Sequence, residues 1–486
     1  MKDKRLTMNY DLIVIGNTAV GRYAALTATL WEARVALVTQ DIAFASEADW
    51  LYNLTLNYLT ETGQQWRTIQ PNLNAFLLEF PRLNSLCFKS YQKWAQEAIA
   101  IAVEETTLVK LAAKGVDVIE GKGEFCRLPK QAFIVNQEKL KARAYLIATE
   151  TLPLFPEVAN LSEVGYLTLK DLREQETLEL LPKNLTILGD NPLTVSLAQS
   201  LAKLNKTVTL SLAKTRLFSR EEEDIINLLQ AQLEADGITV LTDSSLSQIQ
   251  KIDARKWLQL GKHAVETDEL IIFPDTQPNL EGLNLEGLEV NYTQQKLNLN
   301  QKLQTSNPKI YACGGVAGGY PFLNLAQYEA EVALKNALFF PLHTVDYQPI
   351  PCIFLTRPPL ARVGLTEAQA RERYGEKVIV IQEYFKTNLS SIIQGKITGL
   401  LKIVVHENGK ILGGHILGNH AEEVVSILAI AIARKIKMKQ LLSVSFPSPS
   451  ISEIIAKAVQ QWDRHYYQTH PFWRGLRRRY FLFFRP

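Results

Sequence analysis

The chain has 486 residues and a formal net charge of +3, enough length for several hydrophobic cores and too balanced a charge for a global nucleic-acid-binding field. No apolar run approaches the roughly 20 residues of a membrane span, and the opening MKDKRLTMNYD carries no apolar signal core, so a cytoplasmic protein is expected. The four cysteines, Cys87, Cys126, Cys313 and Cys352, stand singly with no CxxC or CxxxxC spacing, which signals neither a metal site nor a local redox disulfide.

The first organised stretch is residues 10–39, YDLIVIGNTAVGRYAALTATLWEARVALVT. Residues 10–15 form a short apolar run suited to a buried parallel strand. Residues 16–21 read as a tight turn, 22–31 repeat apolar residues at helical spacing, and 34–38 are a second apolar run. Strand, glycine turn, helix and strand make a βαβ unit of the dinucleotide-binding kind. The fingerprint is Gly-x-Gly-x-x-Gly. Gly16 serves the tight turn and Gly21 the close approach of helix to strand, but the middle position is Thr18. A side chain there narrows the place where a pyrophosphate meets the helix N-terminus. Thr39 stands where an acid should hold the ribose. Two readings stay open here: a βαβ unit that only packs, and a working nucleotide site.

Ser46 with Asp49 resembles a capping box and predicts a helix from about residue 48. Residues 90–113 read as one long amphipathic helix, 115–121 and 132–136 as strands, and 144–148 (AYLIA) as a buried strand. A second βαβ unit follows: strand 184–188, turn at Gly189, helix 195–204, strand 207–212. Only the first fingerprint glycine survives there, and Leu212 replaces the acid. Two copies of one motif about 170 residues apart predict two nucleotide-type domains. A helix over 221–235 and strands over 237–242 and 269–273 complete the second copy. Residues 308–339 read as strand, glycine-rich turn and helix. Beyond Asp346, strands over 350–355, 399–406 and 410–417 and helices over 421–434 and 452–462 predict an α+β module.

The end of the chain, residues 471–486, reads PFWRGLRRRYFLFFRP, five arginines among aromatics with no acid after Asp463. One reading packs it on the body with its arginines solvated. The other attaches it to an anionic membrane surface or an acidic protein partner; nucleic acid is not expected as a partner.

The segments YDLIVIG, LIAT (146–149), LPKNLTILG, PNLEGLNLEGL (278–288), IYACGGV, ARVGLTEAQA (361–370), ILGGHILGNHAEEV (411–424) and SPSISE (448–453) together resemble the FAD- and NAD(P)-linked pyridine nucleotide-disulfide oxidoreductases, the family of dihydrolipoamide dehydrogenase and mercuric reductase. The resemblance covers roughly residues 8–465. It implies an α/β fold with two Rossmann-like dinucleotide-binding domains plus a C-terminal α+β dimerisation domain. The FAD-type domain with its central segment would take residues 1–160 and 284–346, the NAD(P)-type domain 161–283, the dimerisation domain 347–465 and the basic-aromatic tail 466–486. A homodimer follows from the resemblance.

The resemblance also marks departures. The family's redox CxxxxC has no counterpart, since residues 40–86 contain no cysteine. The family's Ala-Thr-Gly is here Ala148-Thr149-Glu150. Its central Gly-Asp, whose acid binds the flavin ribityl chain, is Gly314-Gly315. The glutamate it places near the flavin is Ser196, and Asp275-Thr276 stands where it has Gly-Arg. Its catalytic histidine position is Ser448, while Glu453, that histidine's partner, is retained; a serine does not titrate near neutral pH. The cofactor-binding positions inherited from the family are thus Gly16, Thr18, Gly21, Thr39, Thr149, Gly189, Gly314 and Gly315, and FAD and NAD(P) binding are both expected to be impaired. The resulting expectation is a catalytically degenerate member with a structural, regulatory or assembly role, associated peripherally with a membrane. The alternatives are an FAD-dependent NAD(P)H oxidoreductase that reduces a quinone or other small acceptor without a disulfide, and a module that senses a nucleotide without chemistry.

Overall fold

The computed structural model describes residues 8–39, 51–62, 88–127, 130–174, 180–293, 296–318, 322–469, 475 and 479–483. The chain forms two compact units: Met1–Lys214 with Gly237–Val345, and Thr215–Asp236 with Asp346–Pro486. Segment 215–236, expected within the second nucleotide-type domain, packs instead with the C-terminal unit.

The first unit is built on a sheet whose strands run in the order Asp117–Glu120, Val35–Thr39, Met8–Ile15, Glu138–Ile147, Ala132–Val135, Gly123–Cys126. The first four are parallel neighbours, and Ile310–Ala312 pairs in parallel with the C-terminal half of Glu138–Ile147. All five residues of Val35–Thr39 are buried, as a parallel strand covered on both faces requires. Leu12, Val14, Leu37 and Leu146 face the helices Ala19–Leu30 and Leu323–Leu338, while Ile13, Ile15, Val38 and Ile147 fill the opposite core. A second parallel sheet follows the order Thr239–Leu241, Thr207–Ser211, Asn184–Leu188, Glu269–Ile272. Its helix, Pro192–Lys203, starts at Asn191, whose side chain accepts from the Leu193 N–H at 2.9 Å in the manner of an N-cap.

The second unit carries a five-stranded antiparallel sheet in the order Cys352–Phe354, Leu360–Gly364, Ile411–Leu417, Leu400–His406, Val378–Tyr384. Helices Ala421–Ala433 and Glu453–Thr469 supply Val425, Leu428, Ile455 and Trp462 to its core. Gly413 and Gly414 lie where the backbone closes on a neighbour: a Cβ on Gly413 would come within 2.0 Å of the Leu365 carbonyl oxygen.

Several local expectations change. The single helix expected over 90–113 is two, Phe88–Glu104 and Leu108–Ala113. Thr107 breaks it by taking an extended backbone and capping the second helix through Lys110 N–H; a β-branched hydroxyl residue competes well for that role. The last helix runs to Thr469, beyond the expected end at residue 462, because Trp462 and Tyr466 stack at 5.1 Å between centroids. The meander Leu246–Ile252, Arg255–Leu260, His263–Thr267 and the ribbon of Thr151–Leu154 with Asp275–Pro278 were not expected. The Ser46–Asp49 capping box lies outside the described residues, as does most of 471–486.

Candidate functional site

Gly16, Thr18, Gly21, Thr149, Gly314 and Gly315 converge at the carboxyl ends of the central parallel strands, the ordinary ligand position in such sheets. Gly16 has φ +118°, and a Cβ on it would lie 2.3 Å from the Ala148 carbonyl oxygen. A Cβ on Gly21 would lie 2.3 Å from the Gly16 oxygen. Both glycines are therefore required by packing alone. Thr18 is the N-cap of Ala19–Leu30: its hydroxyl donates to the Ala148 carbonyl at 2.8 Å and accepts from the Gly21 N–H at 3.0 Å. One first-turn donor that a phosphate would otherwise take is thus already satisfied from within the chain.

The central segment is tied just as locally. Gly314, at φ +73°, donates its N–H to Glu329 Oε2 at 2.8 Å, and Glu329 is buried. A Cβ on Gly315 would meet Thr151 Cγ2 at 2.7 Å, so a methyl group borders the space an acid at 315 would need. The Thr149 hydroxyl donates to the Asn279 carbonyl at 2.8 Å. Thr39 is buried at its strand end, and its carbonyl accepts from the Gly121 N–H at 3.0 Å.

At the second turn, Gly189 has φ +137°, with the Phe273 carbonyl oxygen 2.8 Å from where a Cβ would stand. The helix Pro192–Lys203, which carries Ser196, meets helix 51–62 through Asn53, Asn57 and Glu61, residues the sequence did not single out. Asn53 Nδ2 donates to the Leu193 carbonyl and Asn57 Nδ2 to the Ser196 carbonyl, each at 2.9 Å, and Glu61 pairs with Lys203. Their i, i+4, i+8 spacing was the available signal. Asn53 Oδ1, Asn57 Oδ1, Thr194 Oγ1 and Ser196 Oγ are buried with no hydrogen-bond partner among the described residues. These four oxygens belong to uncharged side chains; the charged pair on the same two helices is Glu61 with Lys203.

Ser448 and Glu453 belong to the second unit. Ser448 is exposed. Glu453 Oε2 accepts from the Ser450 N–H at 3.3 Å, so the retained acid serves backbone at the start of its helix. Cys313 and Cys352 are free, buried thiols. Burial, reinforced by the Glu329 carboxylate, pushes the Cys313 thiol well up; burial also raises Cys352, with Arg362 opposing. Both are held as protonated thiols, the unreactive form.

The second unit also holds a polar row that crosses its sheet by register: Arg362 opposite His415, His415 opposite Lys402, Lys402 opposite Gln382. An acidic segment docks along it. Arg362 pairs with Glu221 at 2.9 Å. Lys402 pairs with Glu222 at 2.7 Å, Glu367 at 2.9 Å and Asp224 at 3.1 Å. Gln382 Nε2 donates to Asp224 Oδ2 at 2.6 Å. Among the described residues no group of three His, Cys, Asp or Glu side chains is arranged to hold a metal ion, and no helix is long and apolar enough to cross a membrane.

Comparison with known proteins places this geometry. The model of the pyridine nucleotide-disulphide oxidoreductases matches residues 10–330, and that of their dimerisation domain matches residues 350–459. The chain is 26% identical over 475 residues to a mercuric reductase of Staphylococcus aureus, covering 94% of this chain and 83% of that one. It is 28% identical over 352 residues to a dihydrolipoyl dehydrogenase of Bacillus subtilis, covering 71% and 75%. The fold is shared with the HOCl-induced flavoprotein disulfide reductase RclA of Escherichia coli, at TM-score 0.79 and 21% identity over 93% of this chain and 99% of that one. LpdA of Mycobacterium tuberculosis shares it at TM-score 0.81 and 19% identity, over 94% and 100%.

Proposed function

The chain belongs to the pyridine nucleotide-disulphide oxidoreductase family, and from that premise we propose that it is a member without dithiol–disulfide chemistry, kept as a dimeric structural, regulatory or assembly protein with a peripheral membrane attachment. Thr18 carries this reading. Its hydroxyl spans the first turn from Gly21 N–H to the Ala148 carbonyl, in the place where the family leaves open backbone for a pyrophosphate. Gly315 against the Thr151 methyl, and Thr39 without a carboxylate, weaken the fit to FAD in the same direction. The residues do not fit the cofactor as the family holds it. Isolated cysteines and a Glu453 that faces backbone support the loss of exchange chemistry. The match to the dimerisation-domain model, with Ile392, Ile393, Ile397 and Ile430 exposed, supports assembly as a homodimer. The test is the absorption spectrum of the purified protein, followed by dithiol–disulfide turnover with NADH and NADPH; no flavin band and no turnover are expected.

One observation favours a second reading. The unsatisfied oxygens of Asn53, Asn57, Thr194 and Ser196 are of the kind that a bound polar ligand completes. They support a flavoprotein that passes electrons from NAD(P)H directly to a small acceptor. Stoichiometric flavin, bleached by NAD(P)H, selects it.

A further inference from the structure

We propose that residues 474–485 dock on the surface of an anionic lipid bilayer through the helical turn 479–483 and the arginines that flank it in the sequence. This rests on the peripheral attachment in the proposed function and names the surface that takes it. Residues 479–483 are helical, and Tyr480, Phe481, Leu482 and Phe483 are 60%, 62%, 57% and 81% exposed. Four consecutive large apolar side chains on a helical turn step by about 100° each and point all round its circumference. A groove in a protein buries one face of a helix, at i, i+3 and i+4 spacing. A bilayer interface surrounds an inserted turn and takes every face. The side chains suit that depth, because aromatic rings gather at the level of the lipid headgroups.

Charge sets the kind of bilayer. Arg474, Arg477, Arg478, Arg479 and Arg485 flank the aromatics, and no acidic residue follows Asp463. Nothing in that stretch offsets its attraction to anionic headgroups. Each arginine near such a surface is worth about fivefold in affinity, and the attraction is screened within a Debye length. Neither the aromatics nor the arginines alone make a stable anchor; attachment takes the two weak signals together.

The experiment is flotation of the full chain with vesicles of phosphatidylcholine alone or rich in phosphatidylglycerol. Three variants accompany it: truncation after Thr469, Arg477→Gln/Arg478→Gln/Arg479→Gln, and Phe481→Ser/Phe483→Ser. Circular dichroism and solution mass check that each keeps the fold. The full chain is expected to float only with anionic vesicles and to be released by salt. The arginine variant is expected to lose about 100-fold in affinity, and the aromatic and truncated variants to stay unfloated. Equal flotation of the truncated chain, or equal binding to neutral vesicles, overturns the proposal. So does a full chain that ignores vesicles and binds polyglutamate, which assigns the stretch to an acidic protein. Flavin content is read separately. A yellow protein that floats rejects only the degenerate function, and a colourless one that does not float rejects only this surface.

Discussion

Lys402 Nζ lies 2.7 Å from Glu222 Oε2, with both side chains less than a tenth exposed. The two residues are 180 positions apart in the chain, and their pairing docks segment 215–236 on the sheet of the C-terminal unit. Glu367 extends the link: its N–H donates to Glu222 Oε1 at 2.5 Å, while its carboxylate pairs with Lys402. A buried cation shared by three carboxylates is held only as long as every partner stays in place.

Removing that cation should therefore be costly. Lys402→Met is expected to destabilise the protein by about 3–5 kcal/mol, the usual cost of leaving one member of a buried pair uncompensated. Adding Glu222→Gln should recover part of the loss. Urea unfolding of the two single variants and the double variant measures the coupling; additive effects would show that the pair is not coupled.

The same cluster predicts a pH dependence. Burial lowers the His415 pKa below its ordinary 6.5 against the pull of Glu222, with Arg362 and Lys402 adding to the lowering. The folded protein thus holds His415 neutral at pH values where the unfolded chain binds a proton, and stability falls as pH drops below about 6.5. Burial opposes the Glu367 carboxylate, but its bonds to Lys402 and Arg371 outweigh burial and leave its pKa lowered. Its contribution is present above the ordinary glutamate range and is lost as pH falls through the folded value. The urea midpoint should decline in two stages on acidification, and His415→Gln should remove the first. A midpoint unchanged between pH 8 and pH 5 would contradict this.

Much of the fold was legible because its signals are local. The run YDLIVI, the Gly16 turn and the strand at Asn184 each announce themselves within a few residues. The polar row was not, because Arg362, Gln382, Lys402 and His415 meet only through strand register and face an acidic segment far upstream. Thr18 was legible as an intrusion, but not as an N-cap whose hydroxyl bonds Ala148, since that partner lies 130 residues away. The break at Thr107 inside an apolar periodicity was lost for the opposite reason: one capping residue outweighed a pattern that runs straight through it.

Rebuilding the family's contacts should raise FAD affinity if the departures at Thr18 and Gly315 are what lower it. Gly315→Asp alone meets the Thr151 methyl, so the useful variant is Gly315→Asp/Thr151→Ala with Thr18→Gly. Replacing a threonine cap by glycine costs only a few tenths of a kcal/mol of helix stability. Each restored polar contact should raise FAD affinity by roughly tenfold, read by flavin fluorescence quenching on titration. No gain in the triple variant would place the defect elsewhere.

The assembly is expected to be a dimer at micromolar concentration by light scattering. Ile393→Glu, a charge on an exposed apolar side chain, should shift it toward monomer with little change in the secondary-structure spectrum. A monomeric parent protein would remove the basis for a dimeric assembly role.

The most direct measurement is the flavin content of the protein purified without added cofactor, taken from its visible absorption and from the flavin released on denaturation. A colourless protein is expected, with far less than one FAD per chain and no flavin band gained when FAD is supplied at micromolar concentration. One tightly held FAD per chain, reduced by NADH or NADPH, would contradict it.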